Sequence, residues 1–97
     1  MYYLLYIHEW FGQHETVSPF LIKASDRQDV KFAYHYIQKE AGGRGGFMDG
    51  KHTIKMHDDY ITDIEEIRQI SVPEWDTMKR HIPEWENPKG RANGMTP

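Results

Sequence analysis

The sequence predicts a small α+β domain: an antiparallel sheet of about four strands with two helices, in the order ββα-ββα. Three patterns lead to this prediction. Residues 2–10 are rich in aromatic and branched side chains, a helical period follows Ser25, and residues 51–57 alternate between apolar and polar side chains. The chain has 97 residues, which is the length of one domain. We expect that domain to span residues 1–85, followed by an irregular tail at 86–97.

The first two strands are predicted from apolar runs on either side of a short loop. Residues 2–10 carry apolar side chains at both odd and even positions, as expected for a central strand covered on both faces. Residues 11–15 form the loop, and residues 16–23 form the second strand. Pro19 cannot donate a ladder hydrogen bond, so this strand is expected at a sheet edge or with its proline turned outward.

The first helix is predicted from a capping box and an amphipathic period. Ser25 and Gln28 have capping-box spacing, and Asp26 is placed to meet the positive helix end. Gly42 is the expected residue after the helix C-terminus, and the glycines up to Gly46 indicate a flexible connector or a mobile recognition loop. The expected buried arc is Val30, Ala33, Tyr34, Ile37 and Ala41, and the expected polar stripe is Arg27, Lys31, His35 and Gln38.

The second half repeats the pattern of two strands and a helix. Residues 51–57 are expected as a half-buried strand, with a tight turn at Asp58 and Asp59. Isoleucines at 61, 64, 67 and 70 suit either a strand with a bulge or a helix, and we favour the strand because the preceding turn indicates a hairpin.

The second helix, at 73–81, is expected to point Trp75, Met78 and Ile82 inward. The motif apolar-Pro-Glu-Trp occurs at 72–75 and again at 82–85, which indicates two helix starts. Both helices are expected on one face of the sheet.

Composition excludes several classes of function. Without cysteine the chain forms no disulfide and has no thiolate metal site or cysteine nucleophile, which fits a cytoplasmic protein, in the host cytoplasm if a phage encodes it. Twelve Lys and Arg against fifteen Asp and Glu give a net charge of −3, which argues against a generic phosphate-backbone binder. No stretch approaches the roughly 18 apolar residues of a membrane span, and the N-terminus lacks the pattern of a signal peptide.

No residue set indicates a catalytic or metal site. His52 and His57 are an odd number of positions apart on the predicted strand, so they face opposite sides. Ser18, Ser25 and Ser71 each have a structural role beside a proline or at a helix cap. We therefore expect no catalytic residue, no metal and no cofactor.

The acidic segment of the second half is the first candidate for partner binding. It puts five acids and no base into nine residues: Asp58, Asp59, Asp63, Glu65 and Glu66. A solvated acidic edge that prevents sheet pairing is one interpretation. A surface that attracts a basic partner is the other.

Aromatic side chains are the second candidate for partner binding. The chain has 4 Phe, 6 Tyr and 3 Trp, more rings than one small core needs. Phe32 and Tyr36 lie one helical turn apart, outside the predicted buried arc, and Trp85 raises the same question near the C-terminus. Exposed aromatic pairs are typical of interface hot spots. Packing under the tail or a loop is the alternative for these rings.

These features predict a small non-enzymatic protein-binding module that occludes a partner with a basic surface and that can form a homodimer. In size, acidity, lack of cysteine and aromatic content the chain resembles the small proteins that phages encode to inhibit host defence systems, including anti-CRISPR proteins. The first alternative is a nuclease or toxin-like hydrolase that uses His8, His35, His52 or His57. The second alternative is a nucleic-acid-binding regulator that uses the basic residues Lys79, Arg80, Lys89 and Arg91.

Overall fold

The computed structural model describes residues 1–45 and 52–88, which form an α+β fold with one mixed sheet and two helices. In chain order the elements are β1 Tyr2–Phe11, β2 His14–Lys23, α1 Arg27–Glu40, β3 Arg44–Gly45, β4 Ile54–His57, β5 Tyr60–Ile70, α2 Val72–Met78 and β6 Glu84–Trp85. The sheet order is β3-β4-β5-β1-β2-β6. All neighbours are antiparallel except β2 and β6, which run parallel. The α+β class is confirmed, but the two short strands β3 and β6 were not predicted.

The β1–β2 hairpin is tighter than the sequence indicated. Both strands extend inward, so that only Gly12 and Gln13 remain between them. Gly12 has a φ of 56°, a left-handed conformation that glycine adopts without strain. β6 pairs only with Leu21 and Ile22 of β2, so Pro19 lies where the outer edge of β2 is not paired, as expected.

A bulge in β5 explains the isoleucine spacing of three. Tyr6 of β1 faces Glu66, but Ile7 faces Ile64, so Glu65 is an extra residue in β5. The bulge brings Ile64 and Ile67 to the same face despite their odd separation. Ile70 packs on the other face. The prediction of a bulged strand over a helix is therefore confirmed.

The two helices cover opposite faces of the sheet, so the expectation that both lie on one face is wrong. The cluster under α1 contains Leu5, Ile22 and Val30. The cluster under α2 contains Leu4 and Trp75. Because odd and even positions of β1 are both apolar, each face needs its own cover, and one helix per face supplies it.

The start of α1 lies one residue later than predicted. Asp26, and not Ser25, is the N-cap, and its side chain accepts a hydrogen bond from the backbone N–H of Asp29. Asp29 in turn accepts hydrogen bonds from the backbone N–H and the hydroxyl of Ser25. At the other end Gly42 follows the C-cap with a φ of 98°, as expected.

The buried face of α1 is rotated from the predicted arc. His35 and Gln38, which we placed on the polar stripe, are buried, whereas Ile37 is half-buried and Ala41 is exposed. His52, just ahead of β4, and Thr62 of β5 hydrogen-bond to these two polar side chains, which allows them to enter the core. Apolar periodicity does not reveal such partners.

The glycine segment after α1 is more constrained than a flexible connector. A Cβ on Gly43 would lie 2.8 Å from the carbonyl oxygen of Gln38 and 2.5 Å from the side chain of Ile54. Gly43 therefore allows the chain to cross close to α1, and Arg44–Gly45 then pairs with β4. Gly46, the last glycine of the predicted loop, and Lys51, the first residue of the predicted strand, lie outside the described residues.

The second apolar-Pro-Glu-Trp motif is a strand and not a helix start. In the first copy Ser71 caps α2 in a reciprocal capping box with Glu74. His81 occupies the equivalent position in the second copy, and the carbonyl of Pro83 accepts a hydrogen bond from the N–H of Leu21. Sheet pairing therefore determines the conformation of the second copy.

The first residues of the predicted tail contact the domain. The Asn87 side chain donates to the carbonyl of Lys23 at 2.9 Å and to the carboxylate of Asp29 at 3.2 Å. This amide joins the end of β2 to the first turn of α1. The prediction of an irregular segment for residues 89–97 lies outside the described residues.

Candidate interaction surface

Phe32 and Tyr36 form an exposed aromatic pair on the outer flank of α1. Phe32 is 57% exposed and Tyr36 is 41% exposed, with their ring centroids 6.4 Å apart. The exposure expected from their helical positions is confirmed. Because α1 packs on the sheet through Val30, Ala33 and Tyr34, its other flank carries these rings into solvent.

Tyr36 and Trp85 line the same open groove, which lies between the C-terminal half of α1 and β6. The groove has a volume of about 490 Å³, and Ile37 and Ala41 complete its α1 side. Trp85 is half-buried and is held against Phe20 with a centroid separation of 4.7 Å. The structure therefore brings together two of the predicted partner-binding residues that lie far apart in sequence.

Three acidic residues are among those that line the aromatic groove: Glu40, Glu84 and Glu86. Glu40 is the last residue of α1, where the helix dipole adds negative potential. Within the described part of the chain, no basic side chain forms an ion pair with any of the three. The groove is thus lined by both aromatic and acidic residues.

The predicted acidic segment does not form one continuous site with the aromatic pair. Asp58 and Asp59 occupy the β4–β5 turn, where Asp58 lies 3.8 Å from the amine of Lys55. Asp63 accepts hydrogen bonds from the N–H of Ile64 and from the hydroxyl of Thr53. The carboxylates of Asp58 and Asp63 therefore have local partners.

Glu65 and Glu66 lie on the sheet face opposite to α1. Glu66 binds Arg68 at 2.8 Å, and the guanidinium of Arg68 lies 5.7 Å from the ring of Tyr6 on the α2 side. Glu65 is 3.2 Å from Nδ1 of His8. The two predicted surfaces, the acidic strand and the aromatic pair, therefore point in different directions.

His8 sits between two carboxylates on this second face. In addition to Glu65, its ring contacts the carboxylate of Glu15, and it stacks on Trp10 with a centroid separation of 3.9 Å. The contacts of His8 in β1 with Glu15 in β2 and Glu65 in β5 therefore link three neighbouring strands and hold the ring in place. Glu65, one of the residues predicted to bind a partner, therefore has His8 as a neighbour within the sheet.

A polar network under α1 contains two of the histidines proposed for catalysis. His35 and His52 lie 2.8 Å apart between Nε2 and Nδ1. The buried hydroxyl of Tyr34 donates to the carbonyl of His52, and it forms a second hydrogen bond with Thr62, which also accepts from Gln38. Burial lowers the pKa of His35 to about 4 and also lowers that of His52, whereas burial raises the pKa of Tyr34.

A second aromatic depression lies at the tip of the sheet. Phe11 stacks on Tyr60 at 4.0 Å, and Asp58 and Asp59 line the same depression. The Tyr60 hydroxyl donates to Glu9 at 2.9 Å. Burial, followed by the hydrogen bond and the charge of Glu9, raises the pKa of Tyr60 to about 12, so this phenol stays protonated at neutral pH.

Across residues 1–45 and 52–88, no three His, Asp or Glu side chains are placed to hold a metal ion. Over the same described ranges, no helix is long and apolar enough to cross a membrane.

Sequence reasoning missed the acidic residues of the groove and the histidine pair. Glu84 and Glu86 flank Trp85 directly, and this acid-Trp-acid triplet was the available signal. Nothing in the sequence links His35 to His52, because a helix residue and a residue ahead of a distant strand meet only through tertiary packing.

Comparison of the chain with known proteins gives no relative: no protein-family model, curated protein or solved structure matches it.

Proposed function

We propose that this chain is a small non-enzymatic protein-binding module that acts by occluding a partner with a basic surface. The observation that carries the proposal is the exposed pair Phe32 and Tyr36 beside the groove of Trp85. Aromatic residues dominate the binding energy of protein interfaces, and an exposed pair on a rigid helix loses little conformational entropy on binding. The net charge of −3 favours approach to a basic partner.

The class that fits these features best is a phage-encoded inhibitor of a host defence system, of the anti-CRISPR kind. Such a protein needs a stable scaffold and one recognition surface, and it does not need a catalytic set.

Partner capture followed by a quantitative binding assay tests the proposal. The tagged chain is used to capture proteins from host cells, and the captured protein is purified and titrated by calorimetry. Changing Phe32 and Tyr36 together to Ala is expected to weaken binding by about 30-fold, the scale of a hot spot of about 2 kcal/mol. Val72→Ala, a change at an exposed apolar residue of α2, is the matched control and should leave the affinity unchanged.

Two results would overturn the proposal. The first is that the double variant binds the partner with unchanged affinity while keeping its thermal midpoint. The second is that the partner keeps its own activity when it is saturated with the native chain. Light scattering of the free chain identifies a homodimer, and the same double variant should dissociate it if the aromatic pair forms the contact.

The hydrolase hypothesis has a separate test. The histidines it needs are dispersed: His8 lies on the α2 side of the sheet, whereas His35 and His52 bind each other under α1. Hydrolysis of RNA, DNA or a model ester that disappears in His8→Ala or His52→Ala would favour this alternative over the binding module.

A further inference from the structure

The groove between α1 and β6 has the chemistry of a pocket for one cationic side chain. We infer that it receives an arginine or lysine side chain of the bound partner, with Tyr36 and Trp85 as aromatic walls and Glu40, Glu84 and Glu86 as the counter-charge. This inference rests on the proposed protein-binding function and specifies what the partner must present.

The aromatic walls suit a cation. A guanidinium or ammonium is attracted to the face of a tryptophan or tyrosine ring within about 6 Å, and the attraction grows when the pair is partly desolvated. Trp85 is preorganised, since Phe20 and the pairing of β6 with β2 hold it in place. The ring therefore loses little freedom when a ligand binds.

The carboxylates supply the selectivity. Glu84 and Glu86 are the sequence neighbours of Trp85, Glu40 is the last residue of α1, and all three line the groove. An anionic or neutral side chain would leave these groups without a counter-charge, whereas a guanidinium can make paired hydrogen bonds to a carboxylate. Charge complementarity thus selects a basic occupant among the possible ones.

Short peptides provide a direct probe. Acetyl-Gly-Gly-Arg-Gly-Gly-amide is titrated into ¹⁵N-labelled full-length chain, beside the same peptide with lysine and with the neutral isostere citrulline. The indole N–H signal of Trp85 is expected to shift in a saturable manner, with a Kd of about 1 mM for a single side chain. The signals of Trp10 and Trp75 should not follow it, because neither residue lines the groove.

Charge-matched variants localise the effect. The double variant Glu84→Gln with Glu86→Gln should bind the arginine peptide with a Kd at least fivefold higher than that of the native chain. Glu65→Gln with Glu66→Gln removes the same charge from the opposite face and should leave the affinity within twofold. Raising the salt concentration from about 50 to 300 mM should weaken binding to the native chain, since screening acts on the exposed carboxylates.

Three outcomes would overturn the inference. They are equal binding of the citrulline peptide, an unchanged Kd in the Glu84 and Glu86 variant, and a response that appears only after Lys89 and Arg91 are changed to Gln. The last result would identify the chain's own basic residues as the occupant.

The two proposals fail in different ways. Peptide binding without any captured partner would contradict the protein-binding function alone. A partner that depends on Phe32 and Tyr36 but binds the Glu84 and Glu86 variant normally would contradict the cation pocket alone.

Discussion

Nε2 of His35 lies 2.8 Å from Nδ1 of His52, and this contact ties the middle of α1 to the segment just ahead of β4. Two imidazoles share such a hydrogen bond when one ring donates and the other accepts, so at least one of them must be neutral. Burial lowers the pKa of both rings and that of His35 to about 4. The pair is therefore an uncharged connection between helix and sheet at neutral pH.

Stability is expected to fall as the pH drops below about 6.5. The pKa of His35 is about 6.5 in the unfolded chain and about 4 in the folded chain. Between these values the unfolded chain binds a proton that the folded chain does not, so a fall in pH favours unfolding. The stabilisation is thus complete above pH 6.5 and is lost through the window between these values, with about 2 kcal/mol lost at pH 5. Urea unfolding at pH 7.5 and pH 5 measures the difference.

The matched variants are His35→Gln and His81→Gln. The first should reduce the pH dependence, and the second, at an exposed histidine, should retain it. If His35→Gln lowers the free energy of unfolding equally at both pH values, burial does not keep His35 neutral.

The hydroxyl of Tyr34 is expected to stabilise the fold, and the hydroxyl of Tyr36 is not. Tyr34→Phe removes the donor to the carbonyl of His52 and leaves Thr62 with one partner fewer, at a cost of about 1 to 3 kcal/mol. Tyr36→Phe changes an exposed ring and should stay within about 0.5 kcal/mol. Denaturant melts of both variants measure the free energy of unfolding. Equal losses in the two variants would show that the hydrogen bonds of Tyr34 do not stabilise the fold.

Two glycines with different environments should respond differently to alanine. Gly12→Ala places a side chain at positive φ in open space, which costs about 1 to 2 kcal/mol. Gly43→Ala forces a Cβ to within 2.8 Å of the backbone carbonyl of Gln38, so either α1 or β3 must move. The thermal midpoint should fall further for Gly43→Ala, and the reverse order would show that the β3 segment is free to shift.

The acids of the β4–β5 turn are expected to affect the rate of binding more than the fold. Asp58→Lys with Asp59→Lys should slow association with the captured partner several-fold at low salt, and the difference should close near 0.5 M salt. Asp63 is left out of this variant because its carboxylate bonds the N–H of Ile64. Stopped-flow measurements of the association rate at two salt concentrations test this prediction. An unaltered on-rate in the variant would show that these two acids do not attract the partner.

The sequence alone determined the elements whose signals are local. The apolar residues of β1, the bounds of α1, the glycine after α1 and the bulged β5 were all predicted within a few residues, because each depends on neighbours one turn or one pleat away. Exposure of Phe32 and Tyr36 followed in the same way from their angle on the helix. These features needed no knowledge of what packs against them.

Tertiary structure decided which polar groups enter the core and which motif becomes a strand. His35 and Gln38 are buried because His52, ahead of β4, and Thr62 of β5 form hydrogen bonds with them. Ile37 is half-buried, although the apolar period predicted it in the core. Replacing Ile37 with Ala should therefore cost less than the 2 to 5 kcal/mol range typical of a fully buried site.

The same reason explains the groove. Glu84, Trp85 and Glu86 form part of a surface only because β6 pairs with β2 and stands beside the end of α1. Hydrogen bonding between residues more than 60 positions apart fixes that placement, and no periodicity along the chain encodes it. The sequence thus specified the separate elements and the exposed rings, and long-range pairing brought the aromatic and acidic residues to one groove.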